Sequence, residues 1–295
     1  MLVAVGCARH KGEVPDTSDI FDRAARRRRR DRAQPDYVRF DFVRAAMLDG
    51  IAERLDSVKR DFADMLDLGC FDASFAPAGA RVARVDAGYA FARAAGGIQA
   101  DEDRLPFADA SFDCVVTAGV LDQVNDLPGA LTLARRVLRP DGLFLGAFVG
   151  GGSLPTLRAA FRAAEGERPA ARLHPQIDVR SAGDLLVRAG FALPVADVET
   201  IEVDYGSLGT MLDDLRGMAA TNLLRARSPL TRGTLGAAAA SFDAAADVDG
   251  RTHERVDIVF LTGWAPDASQ PQPAKRGSAT SSLAQALGRA RDSRS

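Results

Sequence analysis

Cysteine, histidine and tryptophan are all scarce in this chain of 295 residues, which holds three Cys, three His and one Trp. Cys7, Cys70 and Cys114 are too few and too scattered for a disulfide framework or a zinc site, and this points to a reducing, intracellular compartment. His10, His174 and His253 offer no pair at ligand spacing, so the motif of a two-His, one-carboxylate iron centre is missing and no metal is expected. A lone His174 beside Pro175 reads first as a structural residue, with a substrate-loop role as the alternative. No segment approaches the ~20 apolar residues needed to cross a bilayer. The opening MLVAVGCARHKG has an apolar stretch too short for a secretory signal and no basic residues ahead of it. The expected location is therefore cytoplasmic, with a weak peripheral membrane contact left open. A net charge of −2 and a pI near 6.0 give no global basic field, and Trp264 has no aromatic neighbours in sequence for base stacking, so nucleic acid is not an expected partner.

What is present is an ordinary globular composition, 46% hydrophobic and 26% charged, enough for one large α/β domain. Charge is unevenly placed: residues 1–60 hold 14 Lys/Arg against 10 Asp/Glu. Most of that excess is the run Arg26–Arg30, followed by Asp31 and Arg32, on a stretch of good helix formers. It reads first as a solvated helix face, since like charges repel and seek water; the alternative is a basic lid over an acidic or phosphorylated substrate. The expected organisation is a basic N-terminal arm over 1–36, a domain over 37–264 with its core at 60–150 and helical additions at 151–246, and a poorly ordered tail over 265–295 rich in Pro, Gln, Ser and Ala.

Between Tyr37 and Arg60, apolar residues recur at helical spacing and predict an amphipathic helix. Short apolar runs then alternate with helix-like segments, the pattern of a mostly parallel sheet with crossover helices. Strands are expected at Met65–Gly69, Val82–Asp86, Gly97–Asp101, Cys114–Ala118 and Leu143–Val149, with two late strands near Val198–Asp204 and Val256–Trp264. A helix over Leu127–Leu138 should stop at Arg139-Pro140-Asp141-Gly142. Further helices are expected at Leu154–Glu165, Ser181–Ala189, Leu208–Ala220 and Thr231–Ala246, with Gly150-Gly151-Gly152 as a loop or hinge.

An open α/β sheet places its ligand beyond the carboxyl ends of its strands. Asp67 and Gly69, in the sequence Asp67-Leu68-Gly69-Cys70, end the first strand. Asp86 ends the second, where a carboxylate can accept from both hydroxyls of a ribose. Asp101, followed by Leu105-Pro106-Phe107, ends the third, near the place of an adenine amino group. Each of these acids alone is equally readable as a turn residue bonded to backbone. Asp122, in the loop after the fourth strand, can orient or deprotonate an acceptor or simply be a surface acid. Cys70 and Cys114 read as small buried residues.

Taken together, DLGC, RVARVDAG, ADEDRLPF, SFDCVV, VNDLPGAL and VLRPDGLFLGAF, in this order, resemble the class I S-adenosylmethionine-dependent methyltransferases. FDRAARRRRRDRA (21–33), DDLRGMAATN (213–222) and KRGSATSSL (275–283) narrow the resemblance to the complex I assembly-factor branch, described as arginine hydroxylases with a methyltransferase fold. The branch containing the malonyl-carrier-protein methyltransferase of biotin synthesis is also similar. The resemblance implies a Rossmann-like α/β fold with a seven-stranded, mostly parallel sheet. It also implies S-adenosylmethionine held by Asp67, Gly69, Asp86, Asp101 and Leu105, with Asp122 near the acceptor.

The chain departs from that pattern at one informative place. The family continues its first strand as Gly-x-Gly, whereas Cys70 is followed here by Phe71-Asp72-Ala73. A non-glycine residue at positive φ costs roughly 1–2 kcal/mol, and Pro77 and Gly79 leave room only for a short helix before the second strand. Three readings stay open. The chain is a methyltransferase acting on a protein side chain, small molecule or carrier-bound acyl group; an assembly factor that binds and modifies a respiratory NADH dehydrogenase subunit; or a binding module with a degenerate cofactor loop.

Overall fold

A computed structural model describes residues 19–167 and 170–271. Among the described residues seven strands form one sheet: β1 (Asp64–Leu68), β2 (Arg81–Asp86), β3 (Ile98–Gln99), β4 (Phe112–Ala118), β5 (Leu138–Val149), β6 (Ala192–Tyr205) and β7 (Thr252–Trp264). Their order is β3-β2-β1-β4-β5-β7-β6. Strands β1 to β5 pair in parallel, and β7 inserts antiparallel between β5 and β6. This is the Rossmann-like class I methyltransferase architecture. The central strand β4, FDCVVTA, is buried along its whole length, as a parallel strand covered on both faces must be.

Eight α-helices surround the sheet among the described residues: α1 (Arg23–Ala33), α2 (Phe42–Ser57), α3 (Tyr89–Ala94), α4 (Leu127–Val137), α5 (Pro155–Glu165), α6 (Val179–Ala189), α7 (Leu208–Gly217) and α8 (Arg232–Asp243). Helices α4 and α6 cover one face through Leu131, Val137 and Leu186, packed on Leu66, Val115 and Phe144. Helix α2 covers the other with Val43, Met47 and Ile51 against Met65, Val116 and Phe260. A third cluster joins α5, α7 and α8 through Phe161, Met211 and Phe242 at the carboxyl end of β5.

Two local differences from the sequence expectation bear on the site. The segment between β1 and β2 forms no helix at all, because Pro77 and the short spacing leave no room for one; Phe75 instead drops into the α2 core. The Arg139–Gly142 turn is absorbed into β5 as a register shift against β4, with Asp141 at φ +58°. The three glycines after β5 are tied down. The Gly150 and Gly151 amides donate to Asp257 and Ile177 carbonyls at 2.8 Å, and a Cβ on Gly152 would lie 2.5 Å from an Asp257 carboxylate oxygen. His10, Cys7, the segment 275–283 and most of the expected tail lie outside the described residues. The described start of that tail packs back, Gln270 Nε2 donating to Asp141 Oδ1 and the Ala265 carbonyl, each at 2.9 Å.

Candidate functional site

The sheet order reverses between β1 and β4, which opens a crevice at their carboxyl ends. Gly69 forms its floor. It sits at φ +82°, its amide donates to Val85 O at 2.8 Å, and a Cβ there would lie 2.6 Å from the Val120 methyls. Asp67 is fully buried beneath it; neither carboxylate oxygen accepts a hydrogen bond from the described residues. Burial pushes its carboxyl up to about 7, only partly opposed by Arg44, whose Nη2 lies 3.7 Å away.

Asp86 is fully buried at the end of β2 and is surrounded by donors. Oδ1 accepts from Gly88 N and Arg30 Nε, each at 2.7 Å. Oδ2 accepts from Phe71 N at 2.9 Å and from Arg30 Nη2. The Arg30 guanidinium is itself buried and lies 3.7 Å from the centroid of the Phe71 ring, a cation–π distance. Phe71 stacks on Tyr37 at 4.8 Å and meets Phe91 edge-on at 5.3 Å. Phe71 is at φ +50°, the conformation that glycine would adopt without strain.

The remaining arginines of α1 continue along the crevice. Arg26 forms a bidentate pair with Glu102 at 2.6 and 2.7 Å, both residues buried. Arg27 Nη2 lies 2.5 Å from Asp101 Oδ2, and Arg23 makes two bonds to Asp103 at 2.7 and 2.6 Å. The spacing 23, 26, 27, 30 is one face of an α-helix. The expectation of a solvated face holds for Arg28 and Arg32, which are exposed, and fails for Arg26 and Arg30. The physical reason is that this face meets Asp86 and the run Asp101-Glu102-Asp103, four carboxylates that match the four arginines charge for charge. Leu105 is placed in the hydrophobic core with Leu68, Phe112 and Leu127.

A second compartment lies beyond the ends of β4 and β5. It is a cavity of about 300 Å³ walled by apolar side chains of α2, α5 and α7, with Asp122, Arg29 and His174 on its lining. Asp122 sits in a 3-10 turn, Leu121–Gln123, its Oδ1 enclosed and accepting no hydrogen bond from the described residues. Burial raises its carboxyl to about 6. His174 Nε2 accepts from Leu223 N at 2.9 Å, and its ring meets Phe21 edge-on at 4.9 Å. Burial, and then the charges of Arg29 and Arg26, depress it to about 4, so the imidazole is neutral and fastens the 220s segment. The structure thus brings Asp67, Gly69, Asp86 and Asp101 together in the crevice and sets Asp122 apart in the cavity. Burial pushes the thiols of Cys70 and Cys114 well above their usual range, which leaves them unreactive. Among the described residues no group of three or more His, Cys, Asp or Glu is placed to hold a metal ion.

A family model described as "Methyltransferase domain" matches residues 66–146. The mitochondrial arginine-hydroxylase NDUFAF5 of Danio rerio is 35% identical over 285 residues, covering 90% of this chain and 89% of that protein. The human NDUFAF5 is 34% identical over 95% of this chain and 87% of its own length. This chain belongs to the NDUFAF5 family. A malonyl-[acyl-carrier protein] O-methyltransferase of Laribacter hongkongensis is a further relative, 33% identical over 81% of this chain and 88% of its own. Solved structures agree on the fold. The YcgJ protein of Bacillus subtilis superposes with a TM-score of 0.53 at 15% identity, covering 74% of this chain and 98% of that one. An S-adenosylmethionine-dependent methyltransferase of Thermotoga maritima superposes with a TM-score of 0.50 at 16% identity, covering 81% and 99%.

The chain thus carries an S-adenosylmethionine-dependent methyltransferase-like domain, and binding of that cofactor or its demethylated product is typical of such domains. The residues of the NDUFAF5-type crevice in this chain do not fit it in the observed arrangement. Asp86, the ribose acceptor of the pattern, already receives four protein donors, and Asp101 is engaged by Arg27. The space beside them is taken by the Arg30 side chain and the Phe71 ring. The sequence signal that could have revealed this was the pairing of a helical-period arginine face with a three-residue acidic run.

Proposed function

We propose that this chain acts on a polypeptide as a complex I assembly factor does, engaging a subunit of a respiratory NADH dehydrogenase through the cavity beside Asp122, in the cytoplasm. The observation that carries this reading is the origin of the cavity walls. Apart from Asp122 and Arg29, they come from α2, α5, α7, the segments 172–176 and 220–230 and single residues such as Val149 and Tyr205, which lie outside the matched domain at 66–146 but inside the stretch shared with the NDUFAF5 relatives. A largely apolar cavity with a few converging polar groups is the usual form of a binding site. Among the described residues no helix is long and apolar enough to cross a membrane, so contact with a membrane complex would be peripheral.

A carrier-bound acceptor is the second reading, favoured by the similarity to the malonyl-[acyl-carrier protein] methyltransferase. Pull-down and cross-linking with purified soluble subunits of a respiratory NADH dehydrogenase, beside acylated carrier protein, separate the two. The first reading expects capture of a dehydrogenase subunit that Leu212→Arg abolishes. Capture of the carrier protein alone would transfer the assignment to the second, and capture of neither would end both.

A further inference from the structure

We infer that helix α1 is the resident occupant of the cofactor crevice, with Arg30 seated on Asp86 where a ribose would sit, so that the folded chain excludes S-adenosylmethionine. The charge count supports it first. Asp86, Asp101, Glu102 and Asp103 face Arg23, Arg26, Arg27 and Arg30, four against four. Without α1, these acids would crowd one another at the strand ends. With it, the mouth is neutral, and the arginine spacing allows all four pairs at once.

Shape supports it independently. A Cβ on Gly88 would lie 2.7 Å from Arg30 Cβ, so the absence of a side chain there lets α1 approach the β2 turn directly. Phe71 stands where the family pattern has glycine, and its ring forms the platform for the guanidinium. No helix follows β1, so the amide groups that a helix N-terminus would turn toward a bound anion are missing.

The helix is also fastened along its whole length. The Phe21 amide donates to Asn125 Oδ1 at 2.7 Å, and Asp22 N donates to Leu223 O at 2.8 Å. Asp22 caps α1 by accepting from Ala25 N at 2.8 Å. Arg29 donates to the Asn222 carbonyl, Asp31 accepts from Ala90 N at 2.8 Å, and Tyr37 stacks on Phe71 just beyond its end. An arm serving as a removable lid would be held at one end. The consequence is a divided site: the cofactor half is packed as structure, and the half beside Asp122 is a cavity.

The test is isothermal titration of the full chain with S-adenosylmethionine and S-adenosylhomocysteine, together with a denaturation cycle on Arg30→Met, Asp86→Asn and the double variant. The inference expects no saturable heat with either ligand up to about 1 mM, equivalent to binding weaker than about 4 kcal/mol. It expects the double variant to unfold with an equilibrium constant at least about tenfold below the product of the two single effects, as directly coupled residues do. Saturable binding of S-adenosylhomocysteine to the wild type, or additive effects in the cycle, would overturn it. Should Arg30→Met fail to fold, Arg30→Lys supplies the cycle. The inference stands apart from the partner assignment: failed subunit capture leaves it untouched, and cofactor binding refutes it alone.

Discussion

The two halves of the site have the same scaffold and opposite contents. The crevice at the ends of β1 and β2 is filled by α1 and sealed by paired charges and stacked rings. The cavity at the ends of β4 and β5 is open and mainly apolar, and Asp122 on its lining has one carboxylate oxygen, Oδ1, that accepts no hydrogen bond from the described residues. A Rossmann-like fold can therefore keep its sheet while the strand ends of one half are packed as core and those of the other line a cavity. Buried ion pairs add little net stability over apolar packing, but removing one partner leaves an uncompensated charge. What the array specifies is the seating of α1, and this is where the comparison is easiest to break.

The largest effect is expected from Glu102→Ala, which strands the buried Arg26 guanidinium. It should cost about 3–5 kcal/mol in chemical denaturation while leaving the cavity lining intact. Gly88→Ala comes next. The new methyl meets Arg30 Cβ rather than the flexible end of a side chain, and overpacking of this kind costs about 1–3 kcal/mol. Faster proteolysis within residues 23–33 would show that the loss is local to α1.

Asp67 gives a pH-dependent effect. Its folded pKa, about 7, is above the ordinary carboxylate value of 3.8. The folded state therefore binds the extra proton between those values, and stability falls as pH rises through that window. Asp67→Asn should remove the fall. Relative to wild type the variant should gain stability between pH 4 and pH 8, roughly 1–3 kcal/mol, measured by denaturation at both ends. A parallel pH response in the two proteins would mean that Asp67 is not the titrating group. Smallest of all, Arg28→Ala and Arg32→Ala should change stability by less than about 0.5 kcal/mol, since both side chains are exposed on the far side of the same helix.

Much of the scaffold was legible because its signals are local. The first two strands were marked by short apolar runs around Asp67 and up to Asp86, and the helix expected over Leu127–Leu138, found as Leu127–Val137, by the Arg139-Pro140-Asp141-Gly142 stop after it. The missing glycines at Phe71-Asp72-Ala73 mark the place where the Phe71 ring now lies under the Arg30 guanidinium. The occupant was not legible, because a run of five arginines has no hydrophobic face to orient it. Which arginines turn inward is decided by carboxylates 56 to 80 residues away in sequence. Asp122 was picked out as an acceptor-side residue, whereas the cavity around it is assembled from α5, α7 and the 220s, whose apolar residues read simply as core. Leu105, placed beside a cofactor by resemblance, is core in the structure.

Hydrogen exchange of the full chain, with and without S-adenosylhomocysteine, tests the central claim most directly. If α1 is a permanent part of the crevice, the amides of residues 26–33 exchange as slowly as those of β4, and added ligand changes nothing. If α1 is a displaceable arm, those amides exchange rapidly, or become faster as ligand binds while the β2 turn at Asp86–Gly88 gains protection; either pattern would contradict the account.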